Sequence, residues 1–101
     1  MGIDVEWRDE SGKVLAQILD ARSLLQSALA DASLQSTQFL RFIDAYGDAT
    51  FNQLQLPGLI SEFKGVARSC TAEAALHMSS ISKLLARASS EAHTYVTFVG
   101  D

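Results

Sequence analysis

The first hydrophobic pattern in the chain is a strict alternation close to the N-terminus. Ile3, Val5 and Trp7 alternate with polar residues, which is typical of a strand with one buried face and one solvated face. The sequence "DESG" then favours a turn, and a second alternation runs from Val14 to Ile18. Together these features predict a β-hairpin.

A helix that begins at Ser11 is the alternative for the second half of this hairpin. Apolar residues between Val14 and Leu25 also recur with helical spacing. We favour the hairpin because the turn residues separate two alternating segments.

Helical periodicity predicts three helices further along the chain. The first covers about residues 21–32, with Asp20 or Ser23 as its cap. The second begins at Pro57, a residue that the first helical turn tolerates well. The third covers about residues 71–90 and has an apolar inner face that consists of Ala74, Met78, Ile81, Leu85 and Ala88.

The segment 37–53 is ambiguous between helix and strand. Phe39, Leu40 and Phe42 fit one face of a helix, whereas aromatic and β-branched residues on both sides of "DAYGD" fit two strands around a tight turn. We predict a second hairpin here. The closing "HTYVTFVGD" predicts a final strand that pairs with the N-terminal hairpin.

These elements predict a single α+β domain over residues 1–101. It would contain an antiparallel sheet, formed by the N-terminal hairpin, the central hairpin and the C-terminal strand, with about three helices on one face. If residues 11–19 and 37–53 were helical instead, the fold would be a mostly α bundle with a two-stranded ribbon of the termini.

Composition narrows the class of protein. Hydrophobic residues make up 48% of the chain and charged residues 20%, so the composition does not predict disorder. Cys70 is the single cysteine, which excludes an internal disulfide and suits a reducing compartment. The sequence shows neither a signal-peptide pattern nor an apolar run of about 20 residues. We therefore expect a cytoplasmic protein with no membrane segment.

The net charge of −4 is concentrated in the first half of the chain. Eight acidic residues occur up to Asp48, against four basic ones. A nucleic-acid binder needs a basic face, and we expect no nucleic-acid partner. An acidic surface containing Asp4 and Glu6 suits a basic protein partner instead.

Two segments carry a resemblance to other proteins. "FIDAYGDATFNQLQ" and "HTYVTFVGD" resemble small uncharacterised bacterial proteins with a turn like "IDPYGDTVFN" and an ending like "HxYxKFIGD". The resemblance covers about residues 39–55 and 93–101. Ala45 and Thr97 replace a proline and a lysine of that pattern, and Ala49 and Thr50 stand where it has Thr-Val. It implies a bacterial origin and a hairpin at the turn, and it implies no established activity.

The "IDAYGD" turn is the main candidate site. It brings Asp44, Tyr46 and Asp48 together, with Asn52 just beyond them, and paired carboxylates can perform acid–base chemistry. A structural role is the competing interpretation, in which the aspartates bind local backbone groups, Gly47 supplies a positive φ and Tyr46 packs over the corner.

The histidines and the cysteine predict no further chemistry. His77 and His93 lack the spacing of a zinc site, and Cys70 falls on an apolar stripe where a buried thiol acts as a small hydrophobe. We therefore predict no catalytic residue, no metal and no cofactor.

The outer face of the last predicted helix carries small, uncharged side chains. Small residues let another helix approach closely, so this face is a candidate interface that includes Ser79, Ser82, Ala86 and Ser90. An exposed serine-rich helix without a partner is the alternative.

Two functional hypotheses remain from the sequence. The first is a non-enzymatic bacterial interaction protein that acts as a homo-oligomer, an adaptor or an inhibitor of the immunity type. The second is a small enzyme or ligand-binding domain that uses Asp44, Tyr46 and Asp48.

Overall fold

The computed structural model describes residues 2–32 and 34–100. Within these residues the chain forms a four-stranded antiparallel sheet and three α-helices, which confirms the predicted α+β class. The strands are β1 (Asp4–Asp9), β2 (Val14–Ile18), β3 (Asp48–Asn52) and β4 (Thr94–Val99). The helices are α1 (Leu24–Asp31), α2 (Leu56–Ala67) and α3 (Ala72–Ser89).

The strand order across the sheet is β2-β1-β4-β3. The last strand therefore lies in the interior of the sheet, and Trp7 of β1 and Phe51 of β3 both pair with Val96 of β4. The predicted pairing of the closing segment with the N-terminal hairpin is confirmed. β2 and β3 form the two edges.

α2 and α3 pack against one face of the sheet, and α1 packs against α3. Most side chains on that face are apolar and buried, including Val5 and Trp7 of β1 and Phe98 of β4. Phe98 stacks on Phe63 of α2 with ring centroids 5.8 Å apart. The five residues predicted as the inner face of α3 are all buried. The opposite face of the sheet has no helix over it in the described part of the chain.

The predicted central hairpin is wrong in its first half. Residues Leu40–Phe42 form a 3₁₀ turn, and only Asp48–Asn52 is a strand. The reason is tertiary: the Glu62 carboxylate of α2 accepts the backbone N–H groups of Gln38, Phe39 and Leu40 at 2.7–3.0 Å. These donors are therefore not free to form a second ladder.

The first helix is shorter at its N-terminus than the sequence predicts. It begins at Leu24 because Ser23 adopts a left-handed conformation with φ 56°. Of the two predicted capping residues, Asp20 caps this helix with its side chain: its carboxylate accepts the N–H groups of Leu25 and Gln26, at 3.0 and 3.1 Å. The third helix begins as predicted, with the Thr71 hydroxyl accepting the N–H of Ala74 at 3.2 Å.

Across residues 2–32 and 34–100, none of the helices combines the length and the apolar character needed to cross a membrane.

Candidate functional site

The Asp44 turn is built by backbone contacts. One Asp44 carboxylate oxygen accepts the N–H of Tyr46 at 3.0 Å, as an aspartate at the first position of a turn commonly does. Gly47 is not among the described residues with positive φ, so the expected reason for that glycine is wrong. Its carbonyl oxygen instead accepts the N–H of Gly100 at 2.9 Å.

Gly100 fits against this turn only because it lacks a side chain. A Cβ at that position would overlap the carbonyl oxygens of Asp44 and Gly47. The two sequence segments that carry the resemblance therefore touch each other in the fold. This contact gives the turn a structural role, since it anchors the end of β4.

The other residues of the turn are not brought into one enclosed site. The Tyr46 side chain is 80% exposed rather than packed over the corner. Asp48 lies exposed at the start of edge strand β3. The Asn52 carboxamide oxygen accepts the N–H groups of Leu54 and Gln55 at 3.0 and 3.1 Å, just before α2 begins.

A broad depression of about 610 Å³ lies between α1 and the turn. Asp44, Tyr46 and Arg41 line it over an apolar floor that includes Leu29 and Ile43. Asp48 is not among its described lining residues, so the structure does not pair the two carboxylates in one concavity. The depression can accommodate an apolar group, whereas acid–base chemistry by a carboxylate pair has no geometric support there.

The predicted acidic surface is partly neutralised within the fold. Asp4 and Glu6 lie on the solvent face of β1, alternating with the buried side chains. The Asp4 carboxylate accepts the N–H of Asp20 at 2.8 Å, and Glu6 forms an ion pair with Arg8. The ion pair offsets the charge of Glu6, whereas the Asp4 carboxylate keeps its negative charge.

The serine face of α3 remains on the outside of the helix. Ser79, Ala86 and Ser90 are exposed, and Ser82 is half-buried beside α2. Ser90 follows the last residue of α3, and its hydroxyl donates to the Arg87 carbonyl at 2.8 Å. Ser79 and Ser82 line a shallow concavity of about 180 Å³ against α2, whereas Ala86 and Ser90 are not among its described lining residues.

Edge strand β2 and Leu19, the residue that follows it, carry exposed apolar side chains. Val14, Leu15 and Leu19 are 39%, 43% and 57% exposed. The pairing with β1 shifts register at Trp7 and Arg8, which leaves Leu15 as an extra residue between paired neighbours. We refer to Val14, Leu15, Leu19 and the unpaired backbone edge of β2 as the β2 surface.

A buried carboxylate–imidazole pair was missed by sequence reasoning. The Asp20 side chain is fully buried, and one of its oxygens lies 3.2 Å from Nε2 of His77 in α3. That nitrogen makes no hydrogen bond of acceptable geometry with the described residues. The helical periodicity of the sequence places His77 beside the apolar stripe of α3. It gives no sign that Asp20, which is distant in the sequence, lies next to His77 in the fold.

No group of three or more His, Cys, Asp or Glu side chains is placed to share a metal ion among the residues that the structure describes. Comparison of the chain with protein-family models, with curated proteins and with solved structures found no match.

Proposed function

We propose that this chain is a small bacterial interaction protein, without catalysis of its own, that self-associates through the β2 surface. The observation that carries the proposal is an edge strand, "VLAQI", that contains no charged residue and no proline. Natural edge strands are commonly protected from pairing by charges, prolines or coverage. Outside its bulge, β2 has none of these protections among the described residues.

The geometry fits a symmetric dimer. Two β2 strands can pair antiparallel about a two-fold axis, which places the same residues of each copy opposite one another. Such pairing would join two four-stranded sheets into one and satisfy the free backbone groups of both edges. Leu15 and Leu19 would lose water contact in the process, and burial of apolar surface favours association.

The remaining hypotheses receive less support. The Asp44 turn is engaged in backbone contacts and in anchoring Gly100, which argues against an enzyme that uses Asp44, Tyr46 and Asp48. A basic partner would meet an Asp4–Glu6 surface on which Arg8 already offsets the charge of Glu6. A cytoplasmic location is supported by the single free thiol of Cys70.

The test is solution mass measured by light scattering coupled to size-exclusion chromatography, over a dilution series at low and high salt. We expect about twice the chain mass of 10.9 kDa. The dimer should persist in high salt, because burial of apolar surface is not screened by ions as surface charge pairs are.

The matched variants are Leu15→Lys and Leu54→Lys. Leu54 is 89% exposed and lies outside β2, so its substitution adds the same charge away from the proposed interface. Leu15→Lys should yield a monomer, while Leu54→Lys should remain a dimer. A wild-type monomer at every concentration, or equal behaviour of the two variants, would refute the proposal.

A further inference from the structure

A cleft of about 450 Å³ lies between α1 and the connection from α2 to α3. We call it the α1 cleft. Its lining includes apolar side chains of Leu24, Ala28 and Ala74, while the carboxylates of Asp31 and Glu73 also border it. The volume falls in the range of small-molecule sites, which typically combine an apolar lining with a few polar groups.

The Asp31 end of the α1 cleft is negative for two independent reasons. The Asp31 carboxylate is exposed and has no ion pair or hydrogen bond with any other described residue. The last turn of α1 also contains no Lys or Arg in its sequence. Its final carbonyl groups lack partners within the helix and carry the negative end of the helix dipole.

The opposite end of the α1 cleft is close to neutral. Glu73 lies in the first turn of α3 and forms an ion pair with Arg22. Among the described residues that line the cleft, none is Lys or Arg. The uncompensated charge is therefore localised at Asp31, beside an apolar lining.

We infer that the α1 cleft binds a small amphipathic amine. The apolar body of the ligand contacts Leu24, Ala28 and Ala74, and its ammonium group binds the Asp31 carboxylate and the terminal carbonyls of α1. Charge complementarity selects an ammonium over a carboxylate of the same shape. This site uses neither β2 nor the Asp44 turn, so it is independent of the proposed function.

The probe pair is hexylammonium and hexanoate, which differ chiefly in the sign of the head group. Amide NMR titration should show saturable shifts in α1 and around Ser69 with hexylammonium, and much weaker effects with hexanoate. Cys70 also lines the cleft and is the only thiol. Its alkylation rate should therefore fall as hexylammonium saturates the site.

Two variants decide the assignment. Asp31→Asn should weaken hexylammonium binding about three- to fivefold, the range expected for an exposed charge pair, while Asp48→Asn should leave it unchanged. Ser27→Phe should fill the cleft and remove the saturable shifts, with cooperative melting as the check of folding. Equal binding of hexanoate, unchanged binding by Asp31→Asn, or retained binding by a folded Ser27→Phe would each overturn the inference.

Discussion

Asp20 contacts more separate parts of the fold than any periodic pattern suggests. Its buried carboxylate accepts N–H groups from Ile3, Leu25 and Gln26 and lies beside His77. It thereby connects the chain before β1, the start of α1 and the second turn of α3. A buried carboxylate is tolerated only when hydrogen bonds replace its lost hydration, and here three donors do so.

Replacement of Asp20 by asparagine should destabilise the protein strongly. The carboxamide retains the shape of the side chain, but its NH₂ group would face a backbone donor at either oxygen position. We expect the free energy of unfolding to fall by about 2–4 kcal/mol, measured by urea denaturation. Asp48→Asn, at an exposed position, is the control and should change it by about 0.5 kcal/mol or less. Similar values for the two variants would contradict the structural role of Asp20.

The pKa of Asp9 should depend on Ser11. The Ser11 hydroxyl donates to the Asp9 carboxylate at 2.7 Å, and this bond is the largest cause that lowers the pKa of Asp9 below its ordinary value. A lowered folded-state pKa contributes stability that is present above the unfolded pKa and is lost as pH falls through the folded pKa. Ser11→Ala should raise the Asp9 pKa toward the unfolded value in a carboxyl NMR titration. Ser61→Ala should leave it unchanged, and no rise in Ser11→Ala would disprove the assignment.

At the scale of elements, Gly100 and Gly65 differ in the space that surrounds them for a side chain. Gly100 of the closing segment packs on the carbonyl groups of the Asp44 turn. A Cβ added at Gly65 in α2, in contrast, would meet no atom of the described residues within 4 Å outside its own helical backbone. The same substitution should therefore have opposite effects at the two sites.

Gly100→Ala should destabilise the protein by about 1–3 kcal/mol, because the backbone atoms that a Cβ would meet cannot move aside cheaply. Gly65→Ala should stabilise it by about 0.5–1 kcal/mol, since alanine favours a helix interior over glycine. Thermal and urea denaturation of the two variants beside the wild type measure both effects. Opposite signs support the anchoring of β4 by the turn, and a neutral Gly100→Ala would argue against it.

At the scale of the whole molecule, the last strand completes the sheet. β4 lies between β1 and β3, and its Val96 and Phe98 side chains are fully buried. The sheet and its core therefore depend on residues that are far apart in the sequence. The pairing of β1 and β3 with an interior strand cannot form until the closing segment is present.

Removal of residues 94–101 should abolish cooperative folding. Loss of the two buried side chains alone costs about 5 kcal/mol or more, and single domains are typically stable by about 5–15 kcal/mol. β1 and β3 would also lose their shared partner. Circular dichroism during heating should show no cooperative transition. The control is Tyr95→Ala at a 41% exposed position, which should still melt cooperatively; a cooperative transition in the truncated chain would contradict the prediction.

The sequence by itself determined the elements whose hydrophobic pattern and turn residues agree with their burial in the fold. Alternation in residues 3–8 and the helical stripe of α3 each reflect a periodicity of the backbone that burial on one side imposes. The turn at Gly12 and the β-branched and aromatic residues of the closing segment were local signals of the same kind. The structure confirms these strands, this hairpin and this helix. The turn residues at Asp44 were also identified, although the reason for Gly47 was wrong.

Only the tertiary structure decided the features that depend on distant partners. Glu62 binds the backbone N–H groups of residues 38–40, where a 3₁₀ turn forms instead of a strand, and β4 takes the place next to β3 that a central hairpin would have filled. The Asp20–His77 pair, the contact of Gly100 with the turn and the α1 cleft arise in the same way. Hydrogen bonds, close packing and concavity are properties of groups brought together in space, whereas periodicity in the sequence reports only which side of an element is buried.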